Sequence, residues 1–237
     1  MRMGLGYAKG LRRQAAEALL AARAQDGPFR SADDLALRVP ELNRKELTLL
    51  ARIGALNWVD DIAHRRDALW QVEWAGRPEG PLLMQKNLRE DGRSLPLNQM
   101  TVEERLVADY AGTGLTVGKH PMHYRRAELR SQGILSSEDL RHCRNGVFVR
   151  AAGCVIARQR PGTAKGFIFI SMEDETGIAN VIVTPDVYEQ NRLVVTRSKF
   201  LLVEGALQNQ DGVIHVKAAR LTPLAHAGVE TQSHDFH

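Results

Sequence analysis

Between Asp139 and Glu173 the chain carries Arg141, Arg144, Arg150, Arg158, Arg160 and Lys165 and no carboxylate. A run of unopposed cations suits a polyanion, because each Lys or Arg that meets a phosphate releases condensed counterions. Phe167 and Phe169 follow directly. Aromatic rings beside such cations are the side chains on which nucleobases stack. The chemistry on offer is binding of nucleic acid: Arg150, Arg158, Arg160 and Lys165 for the backbone, Phe167 and Phe169 for the bases, and Lys217 on a later strand. The competing reading turns both phenylalanines into a protein core.

Two further places could hold phosphate. Tyr7-Ala-Lys-Gly-Leu-Arg12 and Ala51-Arg-Ile-Gly-Ala-Leu56 are short apolar–glycine–apolar turns at helix junctions. A glycine there lets backbone N–H groups point outward at a helix N-terminus, where the dipole also favours an anion. Gly10 and Gly54 are those glycines, and Lys9, Arg12, Arg13 and Arg52 add charge. The turns resemble the helix-hairpin-helix DNA-binding element, with Arg12 and Leu56 where its second glycine usually stands. A plain corner of a helical bundle is the alternative.

Other constellations carry less. Glu173, Asp174 and Glu175 sit in one turn without partner carboxylates on another strand, and read as a solvated turn rather than a metal pair. His120 and His123 lack a third ligand nearby and read as packed or capping residues. Cys143 and Cys154 are too few for a disulfide framework and lack zinc-ligand spacing, which points to a reducing, cytoplasmic compartment. No Ser/His/Asp or Cys/His arrangement and no phosphate-cradling Gly-Lys-Ser loop is present. Neither a self-sufficient catalytic centre nor a resident cofactor or metal is expected.

The elements that would position these residues follow from periodicity. At 237 residues two small domains are the default. Residues 1–75 read as a helical domain. Leu11, Ala15, Ala18, Leu19 and Ala22 form one helix face, and Ser31 and Asn43 are N-caps of the next two helices. A last amphipathic helix over 64–75 is expected to dock through Leu69, Trp70 and Val72 to Trp74. Residues 76–100 are rich in Pro and Gly and read as a linker. Residues 101–145 read as connecting helices, opened by the capping box of Thr101 and Glu104. From 146 the period becomes two, subject to a bulge at Gly153. Strands over 146–160, 167–172, 178–184, 199–208 and 213–221 are expected, with a helix at 185–195 and a hairpin at Asp211-Gly212. Five strands with a helix between the third and fourth is an OB-fold barrel, over 146–224. The tail, 225–237, is polar and expected to be loosely ordered. The fold class is α+β: a helical domain, then a five-stranded barrel.

Charge and hydropathy agree with this. The net charge is +4, and residues 1–66 hold twelve Lys/Arg against eight Asp/Glu. No apolar run approaches the ~20 residues needed to cross a bilayer, so no membrane partner is expected. Arg12 and Arg13 break the apolar residues before a secretory signal could form.

FIFISMEDETGIANVIVTPDVY (167–188) resembles an OB-fold signature of the anticodon-binding type. A longer arrangement is more specific. The blocks GLGYAKGLRRQAAEALLAAR, PFRSADDLALRV, LNRKELTLLARIGALN and HRRDALWQV resemble the helical region of bacterial C-family DNA polymerases. MTVEERLVADYAGTGLTVGKHPM, VRAAGCVIARQRPGTAKGFIFISMEDETG and the terminal HDFH resemble the error-prone branch of that family. The resemblance implies the C-terminal, DNA-binding portion of such an enzyme. Helical turns would hold duplex and the barrel single-stranded template, in translesion synthesis after DNA damage. It also implies that the palm aspartates and their two Mg2+ ions lie outside this chain, so no nucleotidyl transfer is expected of it alone. Companion translesion proteins and the sliding clamp are further implied partners, and a protein-docking module is the alternative role.

Overall fold

The computed structural model describes residues 3–59, 62–75, 97–210, 213–225 and 234–236. The chain divides into two compact units, 1–117 and 118–237. That division falls inside the stretch read as connecting helices, and most of the expected linker lies outside the described residues.

The first unit is helical: α1 (Arg13–Asp26), α2 (Ala32–Arg38), α3 (Arg44–Arg52), α4 (Arg65–Trp74) and α5 (Val102–Thr113). Helix α1 starts at Arg13 rather than Gly10, because Gly10 adopts φ +93°, a left-handed conformation that no helix accepts. Its buried stripe is Ala15 and Leu19, with Leu11, Ala18 and Ala22 at the margin, as the spacing predicts. Ser31 accepts from the Asp34 N–H at 3.1 Å, and Asn43 with Glu46 and Thr101 with Glu104 form capping boxes. Leu35, Val39, Leu50, Ala68 and Val72 fill the core. The tryptophans of α4 correct the expectation: Trp70 and Trp74 are 48% and 50% exposed and meet edge to face, while Ala68 and Val72 anchor the helix.

The second unit begins with α6 (Pro121–Ser131) and α7 (Ser137–Arg141), followed by β1 (Phe148–Gln159), β2 (Ile168–Asp174), β3 (Gly177–Val183), α8 (Pro185–Arg197), β4 (Phe200–Gln210) and β5 (Val213–Pro223). Strand β1 pairs antiparallel with β4 through its first half and with β2 through its second. Antiparallel β2–β3 and β4–β5 pairs and a parallel β3–β5 pair close the ring. This is the expected five-stranded OB-fold barrel with its helix between β3 and β4. Val181, Leu201, Val203, Leu207 and Val216 are fully buried at its centre. The Asp211-Gly212 turn lies outside the described residues.

Three details depart from expectation. The bulge in β1 is at Ile156, between the pairs Val155↔Met172 and Ala157↔Ser171, not at Gly153. Gly153 instead lets strands approach: a Cβ there would lie 2.9 Å from the Glu173 carbonyl oxygen. The turn at 173–175 is not simply solvated. Asp174 is buried and accepts from the N–H groups of Ser137, Thr176 and Gly177 at 2.7, 2.8 and 3.1 Å and from the Arg126 guanidinium at 3.1 Å. Thr176 Oγ1 receives the Glu138 N–H, so the β2–β3 turn helps cap α7. Finally, part of the tail is a strand, β6 (His234–Phe236), parallel to β1 at Ala157–Gln159. The rest of the tail beyond Ala225 lies outside the described residues.

Candidate nucleic-acid interface

Strand alternation builds the site. In β2, Ile168, Ile170 and Met172 are buried in the barrel, which leaves Phe169 and Ser171 on its outer side, both half-buried. Phe167, just before the strand, is also half-buried. Register extends this side across the sheet. Phe169 is paired with Gln159 of β1 and Ile182 of β3, and Ile182 with Lys217 of β5. The next row runs Ala157, Ser171, Asn180 and His215. Ser171 Oγ lies 3.2 Å from Asn180 Oδ1. Lys217 is exposed. One row therefore carries an aromatic ring, an aliphatic neighbour and a cation, the set a stacked base and its phosphate require.

The cations divide into two groups. Lys165 is exposed at φ +48° at the tip of the β1–β2 loop. Arg160 is exposed, with its guanidinium carbon 5.1 Å from the Tyr188 ring centroid, a cation–π contact that orders it without neutralising it. Arg158 and Arg150 serve the fold. The Ile156 bulge reverses parity, so Arg158 falls in register with buried Ile170 and is only 8% exposed. It donates to the Val195 carbonyl at 2.6 Å and to the Ser198 carbonyl, satisfying acceptors at the C-terminus of α8. Arg150 Nε sits 2.9 Å from Glu204 Oε1, and Nη1 donates to the Gln132 carbonyl at 2.7 Å.

The helical turns divide in the same way. A Cβ on Gly10 would meet nothing within 4 Å, so that turn is open. Helix α1 behind it has no side-chain cap and no acid in its first turn. Lys9 is exposed, and Arg13 is 92% exposed with only an i,i+4 partner, Glu17, at 2.7 Å. Such a surface pair holds an arginine weakly. Arg12 is committed elsewhere: Nε and Nη2 each lie 2.9 Å from the buried carboxylate of Glu46. The second turn is closed. A Cβ on Gly54 (φ +79°) would lie 2.6 Å from Arg65 Nε. Arg65 crosses that glycine to reach Asp109 Oδ1 at 2.7 Å, both side chains nearly buried. Arg52 remains exposed beside the closed turn.

His120 caps α6 by accepting the Met122 N–H at 3.2 Å, and burial lowers its pKa. Among the described residues no group of three or more His, Cys, Asp or Glu side chains could hold a metal ion. The aspartate–Mg2+ chemistry of a polymerase finds no fitting donor set there. No described helix is long and apolar enough to cross a membrane.

A family model described as a helix-hairpin-helix motif matches residues 1–68. One described as an OB-fold nucleic acid binding domain matches residues 149–224. The whole chain is 42% identical to an error-prone DNA polymerase of Burkholderia pseudomallei (strain K96243), of which it covers 22%. It is 41% identical along its whole length to one of Pseudomonas syringae pv. syringae (strain B728a), again covering 22%. Among solved structures, asparaginyl-tRNA synthetase from Pyrococcus horikoshii complexed with asparaginyl-adenylate aligns with 42% of this chain and 23% of its own, at 23% identity and a TM-score of 0.33. The chain spans about a fifth of the length of the curated relatives it matches.

Proposed function

We propose that this chain is the DNA-binding portion of an error-prone DNA polymerase and that it grips DNA without reading base sequence. The observation that carries this is the outer row of the barrel, where Phe169 stands in register with Ile182 and Lys217 beside the exposed Arg160 and Lys165. That row would hold single-stranded template, with the ring stacking a base and the cations following the backbone. The open turn at Gly10, with Lys9 and Arg13, would take a phosphate of the duplex. The full-length similarity to error-prone polymerases supplies the setting, translesion synthesis after DNA damage, with nucleotidyl transfer performed by residues outside this chain. No phosphoryl-transfer step is assigned to these residues, because they offer no metal-binding carboxylate set.

Fluorescence anisotropy with a labelled oligo-dT strand and a labelled primer–template tests the proposal. Both should bind at low salt, and log affinity should fall linearly with log salt. Failure to bind either DNA at low salt overturns it.

A further inference from the structure

The C-terminal strand lies alongside β1 in a register with consequences for the outer face. Its pairs are Ala157↔His234, Arg158↔Asp235 and Gln159↔Phe236. Paired residues of neighbouring strands share a face, and successive residues alternate. His234 therefore joins the row of Ala157, Ser171, Asn180 and His215, and Phe236 joins the row of Gln159, Phe169, Ile182 and Lys217. Asp235 takes the opposite face, in the row of buried Arg158 and Ile170.

We propose that the C-terminal strand is part of the nucleic-acid site and widens the outer face of the barrel by one strand. The inference rests on the face reading above and extends it to a segment far away in sequence. Charge supports it. The alternation of His-Asp-Phe assigns the tail's carboxylate to the face away from the DNA and an imidazole and an aromatic residue to the DNA side. Strand spacing supports it as well. From β6 to β5 the face spans four intervals of about 4.8 Å, roughly 19 Å, enough for a few nucleotides in a row. Phe236 and Phe169 occupy positions two strands apart in that row, so each can serve a different base. The ligand is single-stranded DNA held by stacking, in which case the tail contributes affinity and little base preference.

The test measures oligo-dT affinity by anisotropy for the full chain, for Phe236→Ala, for a chain ending at residue 233, and for Lys217→Ala as a control on the older part of the face. Thermal unfolding by circular dichroism accompanies each, and Phe236→Ala decides the question if the shortened chain loses stability. The proposal expects Phe236→Ala and the shortened chain to bind at least about 5-fold more weakly, the lower end for loss of one stacked base, at unchanged salt slope. If Lys217→Ala weakens binding while Phe236→Ala matches the parent, the tail is excluded from the site and the face reading stands. If the full chain does not bind oligo-dT at all, the face reading fails and this inference fails with it.

Discussion

Arg12 meets Glu46 at two points, Nε 2.9 Å from Oε1 and Nη2 2.9 Å from Oε2. The same carboxylate accepts the backbone N–H groups of Arg12 and Asn43, at 2.9 and 3.0 Å. One buried acid thus ties the entry of α1 to the entry of α3, which fixes the open Gly10 turn on the unit that carries it. The hydrogen bond from the Arg12 side chain is the main cause holding the Glu46 carboxyl at about 2.

That low value makes a pH prediction. An unfolded glutamate titrates at about 4.3, so the folded pKa is depressed. The stabilisation is complete above that pH and is lost as pH falls toward 2. All three tryptophans, Trp58, Trp70 and Trp74, lie within residues 1–117, so their fluorescence reports unfolding of that unit. Glu46→Gln should lower its stability in urea by about 2 kcal/mol at pH 7, through loss of charge-assisted hydrogen bonds. The gap between variant and parent should narrow from about pH 5 to pH 3. A gap that stays constant over that range contradicts the assignment.

Gly54 and Gly10 should respond differently to alanine. Both sit at positive φ, which costs an L-residue roughly 1–2 kcal/mol. Only at Gly54 does the new Cβ meet a side chain, Arg65, and displace it from Asp109. Gly10→Ala should cost about 1 kcal/mol in urea unfolding followed by tryptophan fluorescence, and Gly54→Ala at least about 3 kcal/mol, because breaking a buried ion pair is expensive. Equal losses would mean that Arg65 does not close the second turn.

Arg158 and the pair Arg160/Lys165 should separate stability from binding. Arg158→Met leaves the Val195 and Ser198 carbonyls without their donor and should lower the thermal midpoint of the barrel unit by circular dichroism, with affinity per folded molecule unchanged. The double variant Arg160→Glu/Lys165→Glu should leave that midpoint nearly unchanged. It should weaken oligo-dT binding and reduce the salt slope by about 2, near one unit per lost phosphate contact. Binding loss in Arg158→Met without loss of stability would contradict its placement.

Features written in local spacing were legible in the sequence. The caps at Ser31, Asn43, Thr101 and Ser136 involve residues within three positions, and the core stripes of α1 and β2 follow simple periods. The barrel's strand order followed from the same periods. What escaped depends on distant partners. The parity change at Ile156 arises because β1 leaves β4 for β2, and it moved Arg158 indoors. Arg150 is tied to Glu204 and Arg65 to Asp109 across long sequence separations that no motif encodes. Ile182 and Asn180 could have been found, since Ala179, Val181 and Val183 alternate with them as a core set. Their register with Lys217 and His215 depends on a parallel β3–β5 pairing that only the closed barrel defines.

The account rests on Phe169 and Lys217 forming one nucleic-acid row, and one measurement tests it most directly: oligo-dT affinity of Phe169→Ala and Lys217→Glu, read by anisotropy across a salt series. Phe169→Ala should lose about 1–3 kcal/mol of binding, the contribution of one stacked base, at unchanged salt slope. Lys217→Glu should weaken binding and flatten the slope. Parental affinity and slope in both variants, with the barrel still folded, would contradict the assignment of this face to DNA.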